Sequence, residues 1–129
     1  MTANFRSDNE APVAPAMMAA MLEANNGSAW AYAADAWSNR LEQAFSELFR
    51  TRATVLPVST GTVANAIALA TVTPPWGSVF CHVGAHIRND ECGAPEFFGN
   101  GLRLVPIDGA GGKLTPAGLE RAVRANEGH

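Results

Sequence analysis

VLPVSTGTVANAIALA, residues Val55 to Ala70, sets an apolar strand, a polar turn and an amphipathic helix end to end. Thr54 to Val58 is β-branched and apolar and reads as a buried strand. Ser59, Thr60, Gly61 and Thr62 break that pattern. From there Val63, Ala66, Ile67 and Ala70 recur at helical spacing, so one apolar stripe runs along a helix that starts at the turn. The first amides of such a helix have no partner within it. With the positive end of the helix dipole they make a place that an anion, phosphate above all, can occupy. Gly61 lets the backbone approach such a group closely, and the hydroxyls of Ser59, Thr60 and Thr62 add donors. Ser, Thr and Gly at a strand-to-helix turn also serve simply to cap the helix. This stretch alone leaves both readings open.

The totals bound what surrounds it. A chain of 129 residues makes one domain with its own core and is too short for two ordinary ones. The 47% hydrophobic and 16% charged residues are those of a globular protein, and a formal charge of -3 argues against a basic face for nucleic acid. No apolar run approaches the roughly 20 residues of a membrane span, and MTANFRSDNE lacks the apolar core of a signal peptide. A cytoplasmic protein is expected, with Cys81 and Cys92 as reduced thiols. Lys113 is the only lysine among nine basic residues, so chemistry that needs a lysine amine must use it or come from outside this chain.

In order, residues 1–14 are polar and proline-punctuated and read as an extended arm. Residues 15–50 read as N-terminal helices. Pro15 suits a first helical position, Met17, Met18, Met21 and Leu22 supply an apolar side, and Asn25-Asn26-Gly27 ends the first helix. Asp35 is a good N-cap for the second, along which Trp37, Leu41, Ala44, Phe45 and Leu48 recur at helical spacing. Residues 51–129 form the third part. After the opening strand and helix, Thr73-Pro74-Pro75-Trp76-Gly77 is a stop, Ser78 to His82 a strand, and Gly84 to Asp90 irregular. A short helix or turn follows within Asp90 to Phe97, then a strand over Leu102 to Ile107 and a helix capped by Thr115 with Pro116 at its first position. This alternation predicts an α/β fold, with parallel strands and helices on both faces. Ligands bind at the carboxyl ends of such strands, where Ser59 to Thr62 and Cys81 to Asp90 both fall.

CHVGAHIRNDEC, residues 81–92, is the densest run of chemically capable side chains. A zinc site would need His82 and His86 on one helix, which Gly84 and the preceding strand disfavour. A nucleophilic Cys81 or Cys92 would need a paired histidine and an electropositive setting. His82 ends an apolar strand and reads as a hydrogen-bonded structural residue. His86 lies past the strand end, where a flat side chain can cover a bound ring.

With FRSDNEAPVAP, AWSNRLEQAFSELF, GTVANAIALA, CHVGAHIRNDECGAPEFF and GGKLTPAGLE in that order, the chain resembles the low-specificity L-threonine aldolases from Phe5 to about Val123. These are pyridoxal-phosphate enzymes of fold type I, the aspartate aminotransferase fold. The resemblance implies an incomplete large domain of that fold, comprising an arm, helices and the first part of a mostly parallel sheet. It implies pyridoxal 5'-phosphate as cofactor, a small amino-acid substrate, a homodimer or homotetramer, and neither nucleic acid nor membrane as partner. Thr60, Gly61 and Thr62 match the family's phosphate-binding turn. His86 matches the histidine that stacks on the pyridine ring and handles the hydroxyl proton of the substrate. Ser7 matches a serine near the substrate carboxylate, and Glu91 an acidic residue in a supporting role. Tyr32 and Asp35 match part of a loop near the active site and subunit interface, although Ala33, Ala34 and Ala36 replace its usual neighbours.

The family's Schiff-base lysine, the aspartate that pairs with the pyridine nitrogen and an arginine for the substrate carboxylate lie downstream of residue 129. Lys113 matches the GKLTP turn and not the lysine segment. The resemblance therefore implies the N-terminal part of an aldolase cleaving L-threonine or L-allo-threonine to glycine and an aldehyde, inactive by itself and inclined to associate through an uncovered sheet edge. A non-catalytic anion-binding or assembly module, or a different fold type I lyase, is the alternative.

Overall fold

A computed structural model describes residues 10–127, and the chain divides into two compact units, Met1–Leu56 and Pro57–His129. In the first, α1 (Pro15–Ala24) starts on Pro15, whose missing N–H costs nothing at a helix start, and closes with the Asn25 amide on the Met21 carbonyl. α2 (Ala36–Phe49) is capped by Asp35 and ends on Arg50 in a left-handed conformation, φ 54°. The turn after it is tied down by the Ala53 amide, which donates to Ser46 Oγ at 3.0 Å. Neither helix buries a residue in this unit, and Met17, Met21, Leu22 and Leu48 are all exposed.

The second unit is the α/β part. α3 (Gly61–Val72) leads to β1 (Ser78–His82), followed by two short helices, α4 (His86–Asn89) and α5 (Ala94–Phe98), then β2 (Arg103–Ile107) and α6 (Pro116–Asn126). β1 and β2 pair in parallel, with Val79 opposite Leu104 and His82 opposite Ile107. Side chains alternate across a strand, so Val79, Cys81 and Leu104 share one face. Leu69 of α3 packs there together with Leu102, Ala85 and Ile87. On the opposite face, Ile107 lies under Gly118 of α6, where a β-carbon would stand 3.7 Å from Ile107 Cγ2. Thr115 caps α6 by accepting from the Gly118 amide at 3.1 Å. Burying Leu102 to 2% exposure is worth about 1.5–3 kcal/mol, a large share for so small a core.

Two expectations fail. Thr54 to Val58 is not a strand: it joins no ladder, and the sheet among the described residues has only β1 and β2. Apolar β-branched sequence makes a strand only where a neighbour supplies hydrogen bonds, and Pro57 has no N–H to offer one. Residues 84–90 are not wholly irregular either, because His86 opens α4. That single turn is held by its surroundings, since Arg88 and Asn89 both donate side-chain bonds to the Val83 carbonyl, at 3.2 and 3.0 Å.

Candidate active site

Three helix starts show how differently a first turn can be used. At α2, the Asp35 carboxylate accepts from the Ser38 amide at 2.8 Å and the Ser38 hydroxyl at 2.6 Å. Those bonds hold its pKa below the usual aspartate value, and the negative charge already answers the helix dipole. α6 has the neutral Thr115 cap. α3 is also capped neutrally, by a longer bond from the Val63 amide to Thr60 Oγ1 at 3.3 Å, and the Gly61 and Thr62 amides find no acceptor among the described residues. A β-carbon on Gly61 would meet nothing within 4 Å. Internal packing therefore does not require glycine there, and the space beside its backbone stays open.

The carboxyl end of β1 carries two histidines in opposite arrangements. Nδ1 of His82 accepts the Gly84 amide at 3.0 Å, so the proton sits on Nε2 and is donated to the Gly109 carbonyl at 2.9 Å. Both nitrogens are engaged, which joins the exits of β1 and β2 and leaves the ring no capacity to ligate a metal. Gly109 is needed at this corner for another neighbour, since a β-carbon on it would collide with the Lys113 carbonyl oxygen. His86 is arranged the other way. Its Nδ1 lies 2.9 Å from Glu91 Oε1; a carboxylate only accepts, so Nδ1 carries the proton. The side chain is 69% exposed, and Nε2 has no partner among the described residues.

Glu91 is the buried polar residue of this unit, at 2% exposure. Its Oε1 also accepts from Asn65 Nδ2 of α3 at 2.6 Å, while Oε2 is buried without a partner among the described residues. Leaving a buried acceptor unmet costs about 1–3 kcal/mol. The turn that points this carboxylate inward is itself strained, with Cys92 at φ 51° and Gly93 at φ 73°; a left-handed non-glycine residue costs roughly 1–2 kcal/mol.

Of the residues singled out from sequence, Thr60, Gly61 and Thr62 on α3 are linked to His86 through Asn65 and Glu91. Tyr32 and Asp35 belong to the first unit, where Tyr32 is fully exposed at φ 61° and Asp35 serves α2. Ser7 lies outside the described residues. Asn65 was missed, although an amide residue inside an otherwise apolar helix is a signal, because asparagine weakens a helix interior unless its side chain is used. The thiols are both free. Cys81 is buried, which pushes its pKa up, with Arg88 opposing the shift; a nucleophile needs the reverse. An apolar groove of about 480 Å³ runs along α3 past Val63, Ile67 and Ala70 to Phe98. Apart from Thr62 it does not touch the polar cluster.

The beta-eliminating lyase family model matches residues 4–129. The chain is 43% identical over 126 residues to a low specificity L-threonine aldolase from Pseudomonas sp. (strain NCIMB 10558), covering 97% of this chain and 36% of that protein. It is 45% identical over 118 residues to the low specificity L-threonine aldolase of Pseudomonas aeruginosa, covering 92% and 34%. The structure of a Leishmania major threonine aldolase superposes with a TM-score of 0.77 at 27% identity, covering 91% of this chain and 34% of that one. The chain thus spans about a third of the length of the relatives it matches. With its α/β order, its open α3 turn and a match over nearly its whole length, the chain belongs to the beta-eliminating lyase family, whose members use pyridoxal 5'-phosphate.

Proposed function

We propose that this chain forms the N-terminal part of a pyridoxal-phosphate aldolase. The enzyme would cleave L-threonine, L-allo-threonine or a related β-hydroxy amino acid to glycine and an aldehyde, acting in the cytoplasm as a homodimer or homotetramer. The supporting observation is one connected set of residues. The exposed ring of His86 is bound through Glu91 and Asn65 to the helix whose first turn is Thr60, Gly61 and Thr62.

These residues fit the cofactor. The free Gly61 and Thr62 amides and the open space at Gly61 suit a phosphate dianion, which a second negative cap like Asp35 would repel. When bound, pyridoxal phosphate supplies the electron sink for breaking the carbon–carbon bond. His86 would cover its ring, and its Nε2, with the lone pair outward, would take the proton of the substrate β-hydroxyl. The proton on Nδ1 would stay where it is, and the Glu91 carboxylate would offset the positive charge on the resulting imidazolium. By the family resemblance alone, Ser7 is assigned to the substrate carboxylate, and Tyr32 and Asp35 are assigned supporting roles. The exposed apolar side chains of α1 and α3 suit burial against more chain or a second copy.

Lys113, the one lysine, sits in the turn after β2, and its amide bonds the Ala110 carbonyl. The 129 residues alone are therefore expected to bind the cofactor's phosphate without turning over threonine. The check incubates the chain with pyridoxal phosphate and L-threonine, following cofactor binding by 31P NMR and acetaldehyde by coupled assay. Binding that Gly61→Asp abolishes, with acetaldehyde no higher than a cofactor-only control, is the expected result; aldehyde above that control would overturn the predicted inactivity. Assaying the longer protein against threonine, phenylserine and tryptophan distinguishes an aldolase, which releases aldehydes from the first two, from a lyase that releases indole from the third.

A further inference from the structure

We infer that Asn65 is a positioning residue that sets the tautomer of His86 through Glu91. Glu91 Oε1 takes two donors at once, Asn65 Nδ2 at 2.6 Å and His86 Nδ1 at 2.9 Å. A carboxylate in water rotates freely and presents either oxygen to a neighbouring imidazole, so by itself it would hold His86 loosely. Here the side chain is wholly buried. The left-handed residues Cys92 and Gly93 fix its backbone on one side, and Asn65 fixes the oxygen that faces the ring. Asn65 must present its NH2 group, because its carbonyl oxygen would face a carboxylate oxygen with no proton between them.

Asn65 stands four residues after Gly61 on α3, roughly one helical turn or 6 Å along the axis. The same rigid helix thus carries the open N-terminal turn at one end and the anchor of the His86 ring one turn later. The result is a histidine whose proton is held on Nδ1 and whose Nε2 lone pair is presented outward, at a set distance from the α3 turn. The tautomer rests on this geometry alone; its use as a base on the substrate rests on the function proposed above.

The test labels the histidines of the 129-residue chain with 15N and reads ring tautomers by long-range 1H–15N correlation. It is run without cofactor, at a pH well above the ordinary imidazole pKa of about 6.5. His82→Gln and His86→Gln assign the signals. In the wild type, His86 should show a protonated Nδ1 and a bare Nε2, and His82 the opposite pattern. Asn65→Ala, which leaves a space, and Asn65→Leu, which fills it, should each lower the share of His86 protonated on Nδ1 while His82 keeps its pattern, which also reports that the fold is intact. A wild-type His86 protonated on Nε2 would overturn the inference whatever the variants do. So would a share of Nδ1-protonated His86 unchanged from the wild type in either Asn65 variant. Because no cofactor is present, these outcomes are independent of the 31P measurement. A chain that fails to bind pyridoxal phosphate yet shows the expected tautomers refutes the proposed function and leaves the positioning role standing.

Discussion

His82 and His86 are four residues apart at one end of the sheet, and the structure uses them in opposite ways. His82 spends both nitrogens on backbone groups, one from Gly84 and one from Gly109, and so becomes a staple between two strand exits. His86 spends one nitrogen on a buried carboxylate, and the other has no partner among the described residues. What separates a structural imidazole from a chemical one here is the number of lone pairs and protons left after the fold has taken its share. The two thiols repeat the contrast. Cys81, next to His82, is buried, and Cys92, next to Glu91, is exposed.

The sharpest way to break this comparison is to remove each ring from the full-length enzyme proposed above. His86→Ala should lower kcat by about 10²–10⁴-fold, the usual worth of a positioned acid–base group, with little change in Tm. His82→Ala should instead reduce stability by about 1–2 kcal/mol for its two bonds and largely spare kcat in the folded fraction. Equal effects on both quantities in both variants would end the distinction. The next largest effect is on the staple's partner. A β-carbon at Gly109 would strike the Lys113 carbonyl oxygen, so Gly109→Ala should cost about 1–3 kcal/mol by overpacking, read as a fall in denaturation midpoint, and should release the His82 Nε2 bond. An unchanged midpoint would show that the loop yields without loss.

The smallest effect concerns the thiols. Burial raises the Cys81 pKa, so its thiolate fraction at neutral pH lies below that of an ordinary cysteine. The sign for stability follows from the neutral form being favoured in the fold. Any contribution from this group holds below the ordinary thiol pKa and cannot grow at higher pH, because the unfolded chain ionises first. A disulfide reagent at neutral pH should titrate one thiol per chain quickly, at Cys92, and the second only after denaturant is added. Prompt reaction of both would show that the corner beside His82 opens readily.

Much of the local structure was legible beforehand. Asp35 and Thr115 were readable as caps because a cap is a contact between residues three apart, and both make it. Pro15 and Pro116 mark helix starts through their own fixed φ. Ser78 to His82 was readable as a strand because it is apolar, β-rich and bounded by a stop. Thr54 to Val58 looked equally strand-like and forms no ladder, since pairing depends on a neighbour that no local pattern reveals. The helical turn at His86 was hidden for the same reason. Its support comes from Arg88 and Asn89 reaching back to the Val83 carbonyl, while a four-residue helix has no periodicity to read.

The α3 turn was open to the sequence by itself: an apolar helix begun by Ser-Thr-Gly-Thr must leave its first amides outside the hydrogen-bond ladder, wherever the rest of the chain goes. So were the parallel order of the two strands and the single lysine. Only the tertiary structure decided that Glu91 is buried, that Asn65 meets it across 26 residues, and that His82 reaches Gly109 across 27. Local preferences act within a turn or two of helix or strand. The protonation pattern of a histidine depends on which distant donor or acceptor the packed chain brings within 3 Å, and that is a property of the fold.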